Sequence, residues 1–288
     1  MSRIDPIFKT LRAKKEKALI PYIMAGDPYL ERTEELVLAM ELAGADIIEL
    51  GVPFSDPIAD GPMIQQAGQR ALKWRTSLKD VLKLVADIRR KSEIPLVLMT
   101  YYNPILKFGI EAFFKEAEAS GVDGLIIPDL PPEEGRAVLE QSRRSGVDWI
   151  LLSAPTTPTK RLLFLSQQTQ GFLYYVSLTG ITGASLKDLS GVRARLKMIR
   201  RMTDKPVAVG FGVSSPEQAK ALGKIADGVI VGSAIVRLIE QHLEDPELPS
   251  IVAVLVKELK NALAGGSTRR ANGRIRKTGH ARLIRQGR

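Results

Sequence analysis

The sequence predicts a single α/β domain, a (β/α)₈ TIM barrel with an N-terminal helix before it and a basic tail after it. Eight short apolar segments alternate with longer amphipathic segments along residues 18–263. The short segments are continuously apolar, which is typical of parallel strands covered on both faces. Eight β/α units in about 250 residues is the usual size of this barrel. A doubly wound sheet, the alternative, predicts a glycine fingerprint after the first strand, and Ala25-Gly26-Asp27-Pro28 is not one.

Hydrophobic periodicity predicts each element in turn. Ile4, Phe8 and Leu11 recur at helical spacing, which predicts a helix over residues 3–16. Apolar runs predict strands at residues 18–27, 46–50, 94–101, 123–127, 147–152, 172–177, 206–209 and 228–231. Helices are predicted at residues 30–43, 62–73, 77–91, 109–120, 132–144, 158–169, 188–202 and 248–263, with two more after Ser215 and Ser233. The segment around Asn103-Pro104 is predicted to be a loop.

Composition excludes several kinds of chemistry. The chain has no cysteine and only two histidines, His242 and His280, so disulfides, thiolate nucleophiles, metal clusters and a Ser-His-Asp triad are not expected. It has no apolar run long enough for a membrane helix, and residues 1–6 contain no signal-peptide core. We therefore expect a cytoplasmic protein without a metal.

The positive charge is concentrated at one end of the chain. Residues 265–288 contain eight Lys or Arg and no acid, so eight of the ten net positive charges lie there and residues 1–264 carry about +2. The domain boundary is therefore predicted at residue 264, with a catalytic barrel over residues 1–264 and a flexible, disordered tail over residues 265–288. The tail either is solvated without a role or binds an acidic partner or nucleic acid. No aromatic residue separates its arginines, which makes nucleic acid unlikely as a specific ligand.

The most informative stretch is the end of the second strand and the loop after it. Strand alternation places Ile47, Glu49 and Gly51 on one face, so Glu49 is expected to point into the core. A buried carboxylate costs several kcal/mol, roughly, unless it is paired or protonated. An ion pair is one explanation and catalysis is the other. No predicted strand carries a basic residue near its end, which favours catalysis.

Elimination narrows the mechanism further. A Schiff base needs a lysine at a strand end, and Lys205 instead precedes its strand. General acid–base catalysis by Glu49 and Asp60 remains. Asp129 is either catalytic or a charge at the start of a helix, and Asp56 is either a solvated charge or a partner contact.

Glycines at the ends of the last two strands predict a phosphate site. Gly210-Phe211-Gly212 and Gly232-Ser233 both precede helices, whose N-termini favour anions. Tyr22, Met99, Tyr174 and Phe211 would form either an apolar pocket or ordinary barrel core.

Several motifs together resemble the tryptophan synthase alpha chain family. They are the stretch from Glu49 to Pro62, Pro128-Asp129-Leu130-Pro131, Thr179-Gly180-Ile181-Thr182-Gly183, Gly210-Phe211-Gly212-Val213 and Gly232-Ser233-Ala234. The resemblance covers about residues 3–263. It implies a lyase of tryptophan biosynthesis that cleaves indole-3-glycerol phosphate to indole and glyceraldehyde 3-phosphate. It also implies a beta-chain partner in an alpha2beta2 heterotetramer, with pyridoxal phosphate in the beta chain and no cofactor in this one.

The resemblance also implies roles for individual residues. Glu49 would move protons, Asp60 would stabilise charge at the indole N–H, and Thr182 would hold Asp60 on loop closure. The phosphate would be bound by Gly183, Phe211, Gly212, Gly232 and Ser233, and the indole by Tyr22, Ile64, Met99, Ile126 and Tyr174. The beta chain would contact Asp56, Pro57, Tyr102, Asn103 and Pro104.

Two other functions are compatible with the sequence. One is a different phosphate-binding barrel enzyme of indole or phosphoribosyl metabolism, which would leave the Asp60 loop unexplained. The other is a non-catalytic activator of a beta chain, which would need neither Glu49 nor the phosphate glycines.

Overall fold

Parallel strands form a barrel, as the sequence predicts, in a computed structural model that describes residues 2–176, 189–210 and 212–264. The strand segments are β1 (Ala18–Met24), β2 (Ile48–Gly51), β3 (Leu96–Met99), β4 (Gly124–Ile126), β5 (Asp148–Trp149), β6 (Leu151–Ser153), β7 (Leu173–Val176), β8 (Val207–Gly210) and β9 (Gly228–Val231). Their order in the sheet is β5-β4-β3-β2-β1-β9-β8-β7-β6. Only Ile150 separates β5 from β6, so these two segments occupy one strand position and the barrel has eight.

Helices surround the barrel. They are α1 (Ile4–Lys14), α2 (Leu30–Leu42), α3 (Pro62–Lys73), α4 (Leu78–Arg89), α5 (Tyr102–Phe108), α6 (Ile110–Ser120), α7 (Arg136–Ser145), α8 (Thr159–Gln168), α9 (Ser190–Ile199), α10 (Pro216–Gly223), α11 (Ser233–Gln241) and α12 (Leu248–Leu263). Most bounds agree with the predicted ones within a few residues. The helix predicted at residues 132–144 begins later, at Arg136, because residues 132–134 form a turn first.

One prediction of local structure is wrong. The segment Tyr102-Asn103-Pro104 is the first turn of α5 rather than a loop. Proline is tolerated there because the N–H groups of the first helical turn have no intrahelical acceptor, so the missing donor of Pro104 costs nothing. Asp129 accepts a hydrogen bond at 2.9 Å from the backbone N–H of Tyr102 and so satisfies one of these groups.

Strand alternation divides the apolar residues between two cores. Ile48 and Leu50 pack outward, between the sheet and the helices. Ile47 packs inward with Ile20, Val97, Ile126, Ile150 and Ile230. Helix α1 closes the N-terminal end of the barrel, where its buried residues Ile4, Phe8 and Leu11 join the inner core. The other end, at the carboxyl ends of the strands, is therefore left for a site.

A buried ion cluster lies at the closed end. Asp123 is buried and binds Arg3 Nη1 at 3.0 Å and Arg89 Nη2 at 2.5 Å. Arg89 also donates to the carbonyls of Gly121 and Ile94. This cluster ties the N-terminal segment to α4 and to the strand starts, away from the loops that follow the strands.

Two further predictions concern membrane helices and the basic tail. The helices assigned above include none with the length and apolar character of a membrane span. The tail, residues 265–288, lies outside the described residues, and the last described helix ends at Leu263.

Candidate active site

Glu49 lies at the open end of the barrel interior, and none of the described residues pairs with its carboxyl group. Its strand neighbour Ile47 belongs to the inner core, and Glu49 itself is only 1% exposed. Neither of its carboxylate oxygens has a hydrogen-bond partner among the described residues. Burial raises the pKa of Glu49 to about 8, and the charge of Asp60 adds to the rise. Glu49 is therefore mostly protonated at neutral pH, a form that can donate a proton and take it back.

Asp60 ends the loop after β2, and Tyr101 holds that loop. The Tyr101 hydroxyl accepts a hydrogen bond from the Ala59 N–H at 3.0 Å, and its ring stacks on Phe54 with 5.2 Å between centroids. Burial raises the pKa of Asp60 to about 6, against a hydrogen bond with Tyr101 that lowers it. Asp60 is therefore mostly ionised at neutral pH. The two carboxyl groups thus differ in protonation state at the same pH, as in sites that separate an acid from a charge stabiliser.

Tyr22 sits beside Glu49 in the barrel. The two residues are register partners on β1 and β2. A Cβ atom on Gly51 would lie 2.1 Å from the Tyr22 hydroxyl oxygen, so only glycine at this position leaves room for the ring. Burial, and then the charges of Asp60 and Glu49, raise the pKa of Tyr22 well above its usual range. Its hydroxyl group therefore stays protonated and uncharged at neutral pH.

The five predicted pocket residues are brought together by the barrel. Tyr22 and Ile64 pack in one apolar cluster under α3, and Ile126 and Tyr174 pack in the inner core. Met99 contacts both groups and joins them. Tyr22 and Tyr174 lie close enough to Glu49 for its charge to raise the pKa of both, so this part of the apolar wall borders its carboxyl group. The geometry suits a flat apolar ligand placed against Glu49.

The glycine loops after β8 and β9 are neighbours. Gly210 is the register partner of Ile230, and Gly212 and Gly232 each lie two residues after a member of this pair. Gly212 has φ +59°, which favours glycine, and a Cβ there would have no described atom within 4 Å. Helix α11 starts at Ser233, so its first N–H groups face the same end of the barrel. These features suit the binding of an anion such as phosphate.

The residues predicted to contact a partner lie on two segments that Tyr101 brings together, the loop after β2 and the start of α5. Asp56 and Asn103 are exposed, and Pro57, Tyr102 and Pro104 are half-buried. Two large apolar side chains beside them are also exposed, Ile58 at 82% and Leu106 at 54%. Asp129 is exposed and accepts a hydrogen bond from the Tyr102 N–H. It therefore lies at the start of a helix, as one of the two interpretations predicts, but this helix is α5 and not the helix that follows Asp129 in the sequence.

Three predicted site residues, Thr182, Gly183 and Phe211, lie outside the described residues. Conversely, sequence reasoning missed Tyr101 and Leu152. A signal for Tyr101 existed, because it follows Val97 and Met99 at strand spacing on the inner face. Leu152 packs against the inner core beside Met99 and Tyr174, and nothing in its local sequence distinguishes it.

Comparison with known proteins identifies the family. A family profile described as "Tryptophan synthase alpha chain" matches residues 8–264. The chain is 47% identical over 263 residues to the tryptophan synthase alpha chain of Thermoanaerobacter sp. (strain X514), covering 91% of this chain and 100% of that one. It is 49% identical over 265 residues to that of Nitrosococcus oceani, covering 91% and 98%.

Solved structures agree with the sequence relatives. The tryptophan synthase subunit alpha from Legionella pneumophila superposes with a TM-score of 0.86 at 39% identity, covering 92% of this chain and 99% of that one. A chain of Mycobacterium tuberculosis tryptophan synthase superposes with a TM-score of 0.84 at 36% identity, covering 92% and 99%.

Proposed function

Because this chain belongs to the tryptophan synthase alpha chain family, we propose that Glu49 and Asp60 carry the family's reaction in its barrel. The alpha reaction, a step of tryptophan biosynthesis, cleaves indole-3-glycerol phosphate to indole and glyceraldehyde 3-phosphate. The observation that carries the assignment is the isolation of Glu49, which is buried with both oxygens unpartnered among the described residues. A carboxyl group so placed lowers the stability of the fold, and buried groups with strongly perturbed pKa values are typical of functional sites.

Glu49 both gives and receives a proton. Protonated Glu49 donates to C3 of the indole ring, which turns the ring into an electron sink. Glu49 then takes the proton from the hydroxyl group on the neighbouring side-chain carbon. The carbon–carbon bond breaks, its electrons return to the ring, and the hydroxyl carbon becomes the aldehyde of the second product. One proton enters and one leaves, so Glu49 ends the cycle as it began.

Asp60 stabilises the charge that this step creates. Protonation of C3 places positive charge on the indole nitrogen, and an ionised carboxylate that accepts its N–H offsets that charge. Support comes from the pKa of Asp60, about 6, which keeps it ionised where Glu49 is still protonated. By family resemblance, Thr182 would hold Asp60 when the site closes.

The remaining site residues bind rather than react. Gly212, Gly232 and Ser233 would bind the phosphate, together with Gly183 and Phe211 by family resemblance. The indole ring would lie against Tyr22, Ile64, Met99, Ile126 and Tyr174. The exposed apolar side chains of Ile58 and Leu106, beside the loop that carries Asp60, support a partner face there.

The partner that fits this face is a beta chain. We propose contacts through Asp56, Pro57, Tyr102, Asn103 and Pro104, an alpha2beta2 assembly, and a cytoplasmic location. Pyridoxal phosphate belongs to the beta chain, and no proton transfer of the alpha reaction requires it. Docking on the Asp60 loop would favour its closed form, because the beta chain would bind that form more tightly.

The test is indole release from indole-3-glycerol phosphate by the purified chain, with and without a beta chain. We expect slow release by the chain alone and strong activation by the beta chain. If no indole is released in either condition, the chain is not catalytic, and the alternative function of a non-catalytic activator of a beta chain remains. Full activity alone, unchanged by the beta chain, would contradict the role of the partner.

A further inference from the structure

One arginine joins three elements of the open end. Arg70, on α3, binds Asp27 through both carboxylate oxygens, with Nε–Oδ1 at 2.7 Å and Nη2–Oδ2 at 2.9 Å. Its third nitrogen, Nη1, donates to Glu240 Oε1 at 2.8 Å. Asp27 is 1% exposed, Arg70 17% and Glu240 34%. All three guanidinium nitrogens are therefore engaged in a largely buried, directional contact.

The three residues belong to the elements that carry the site. Asp27 follows β1, the strand of Tyr22, by three residues. Helix α3 begins at Pro62, two residues after Asp60, and Arg70 lies about 12 Å further along it. Helix α11 begins at Ser233, and Glu240 lies about 10 Å further along that helix. Arg70 therefore joins the far ends of two helices whose first turns face the substrate site.

The apolar side chains that α3 packs against its neighbours are larger at its start than near Arg70. Met63 and Ile64, in the first turn, pack against the cluster that contains Met24 and Val236, whereas Ala67 and Ala71 are the α3 members of this cluster nearer Arg70. A Cβ on Gly68 would lie 3.5 Å from Met24 Cε, so this part of α3 approaches β1 closely. Apolar attraction between small side chains is non-directional, whereas a two-pronged ion pair holds one geometry.

We propose that Arg70 is a positioning residue, which fixes the Asp60 end of α3 relative to β1 and to the anion-binding end of α11. The inference rests on the proposed function, since it matters only if Asp60 takes part in the reaction. Buried ion pairs are weak sources of stability, because desolvation offsets their attraction. This one joins the two helices that begin next to Asp60 and at Ser233, so it can act on the geometry of the site rather than on stability.

The test compares two buried arginines under the same substitution. Arg70→Lys keeps the positive charge but loses the fork that reaches Asp27 and Glu240 together. Arg89→Lys is the matched control, since Arg89 is buried in the Asp123 cluster at the closed end. Both variants are assayed with the beta chain for single-turnover indole release at saturating substrate, for binding of an uncleavable phosphate-bearing indole analogue, and for thermal stability. Glu49→Gln is measured alongside.

We expect Arg70→Lys to slow indole release about tenfold, because a misplacement of an ångström is enough for losses of that size. Binding of the analogue should change less than threefold, roughly, since phosphate and indole contacts remain. Arg89→Lys should lose stability but keep its rate within about twofold. Glu240→Ala, at a partly exposed residue, removes the acceptor on α11 but leaves the Asp27 contact, and it should give a smaller loss in a folded protein.

Two results would overturn the inference. One is an Arg70→Lys rate within twofold of wild type, or a Glu240→Ala rate unchanged if Arg70→Lys does not fold. The other is an equal fall in rate for Arg89→Lys, which would make the effect one of general stability. If Glu49→Gln kept its turnover, the proposed function would fail instead, so the two failures can be told apart.

Discussion

The hydroxyl of Tyr101 accepts the backbone N–H of Ala59 at 3.0 Å and so holds the residue that precedes Asp60. Its ring also stacks on Phe54 at the other end of the same loop. One side chain thus fixes both ends of the segment that carries the second carboxylate. We regard this contact as the reason that Asp60 meets the substrate in one position.

Tyr101→Phe should therefore slow indole release about tenfold while the protein stays folded. The ring and its stacking on Phe54 remain, but the acceptor for the Ala59 N–H and the hydrogen bond to Asp60 are lost. A lost hydrogen bond to a charged group is worth about 1.5–3 kcal/mol. Tyr175→Phe is the control, since Tyr175 packs outward among the helices and its variant should keep the wild-type rate. Equal rates for Tyr101→Phe and wild type would contradict this role.

The pH dependence of kcat/KM should be bell-shaped. Glu49 must be protonated to start the reaction, so activity should fall above its pKa of about 8. Asp60 must be ionised, so activity should fall below its pKa of about 6. The substrate phosphate titrates near the same pH, with a pKa of about 6, so Asp60→Asn is the needed control. If the acid limb survives in Asp60→Asn, it belongs to the substrate and not to Asp60.

Stability should also depend on Glu49, with a definite sign. Its pKa is about 8 in the folded chain against an ordinary value of 4.5, so the folded state holds the proton more tightly than the unfolded state. The contribution of Glu49 to the free energy of unfolding is then fully present below about pH 4.5 and falls as pH rises toward 8, by up to roughly 1.4 kcal/mol per pH unit. Glu49→Gln removes this loss. The variant should become progressively more stable than wild type from pH 5 to pH 8 in denaturant unfolding, whereas a constant difference would show that Glu49 is not buried as a neutral acid.

The features that depend on local sequence patterns could be predicted from the sequence. The barrel and the inward direction of Glu49 follow from strand alternation and from continuous apolar runs, both of which are visible within a few residues. The α5 helix was not predicted because Asn-Pro is a signal for turns and loops, although proline is also tolerated in a first helical turn. Its N-terminus depends on Asp129, which lies 27 residues away.

Contacts between residues that lie far apart in the sequence could not be predicted from it. Asp27 could be recognised as a polar residue at a strand end, but its partner Arg70 lies 43 residues later and Glu240 another 170. Nothing local distinguishes Arg70 from other arginines on exposed helix faces. Tyr101 could have been predicted from the sequence, since it continues the inward face of β3.

Deletion of residues 265–288 should leave the barrel intact. The family match ends at residue 264 and α12 ends at Leu263, so the barrel is complete without the tail. The thermal midpoint should change by less than about 2 °C, and indole release should be unchanged. Non-specific binding to a polyanion such as DNA should depend less steeply on salt concentration, since eight cationic side chains are removed. A large drop in the midpoint would show that the tail packs on the barrel.

Asp60→Asn should be severely impaired in indole release yet still measurable at high enzyme concentration. It removes the charge that stabilises the protonated ring but leaves the proton transfers of Glu49 in place. A loss of about 10²–10³-fold is typical when one such stabilising group is removed. A variant with wild-type turnover would rule out the electrostatic role of Asp60.

Single-turnover indole release by Glu49→Gln, with direct binding of an uncleavable phosphate-bearing analogue, tests the central claim. Glutamine keeps the volume of the side chain but cannot cycle a proton. Each general acid–base transfer is worth about 10²–10⁴-fold, and two depend on Glu49, so release should fall to the detection limit while the analogue still binds. Turnover above about a tenth of wild type, which is less than roughly 1.4 kcal/mol of barrier, would show that Glu49 is not the acid–base residue.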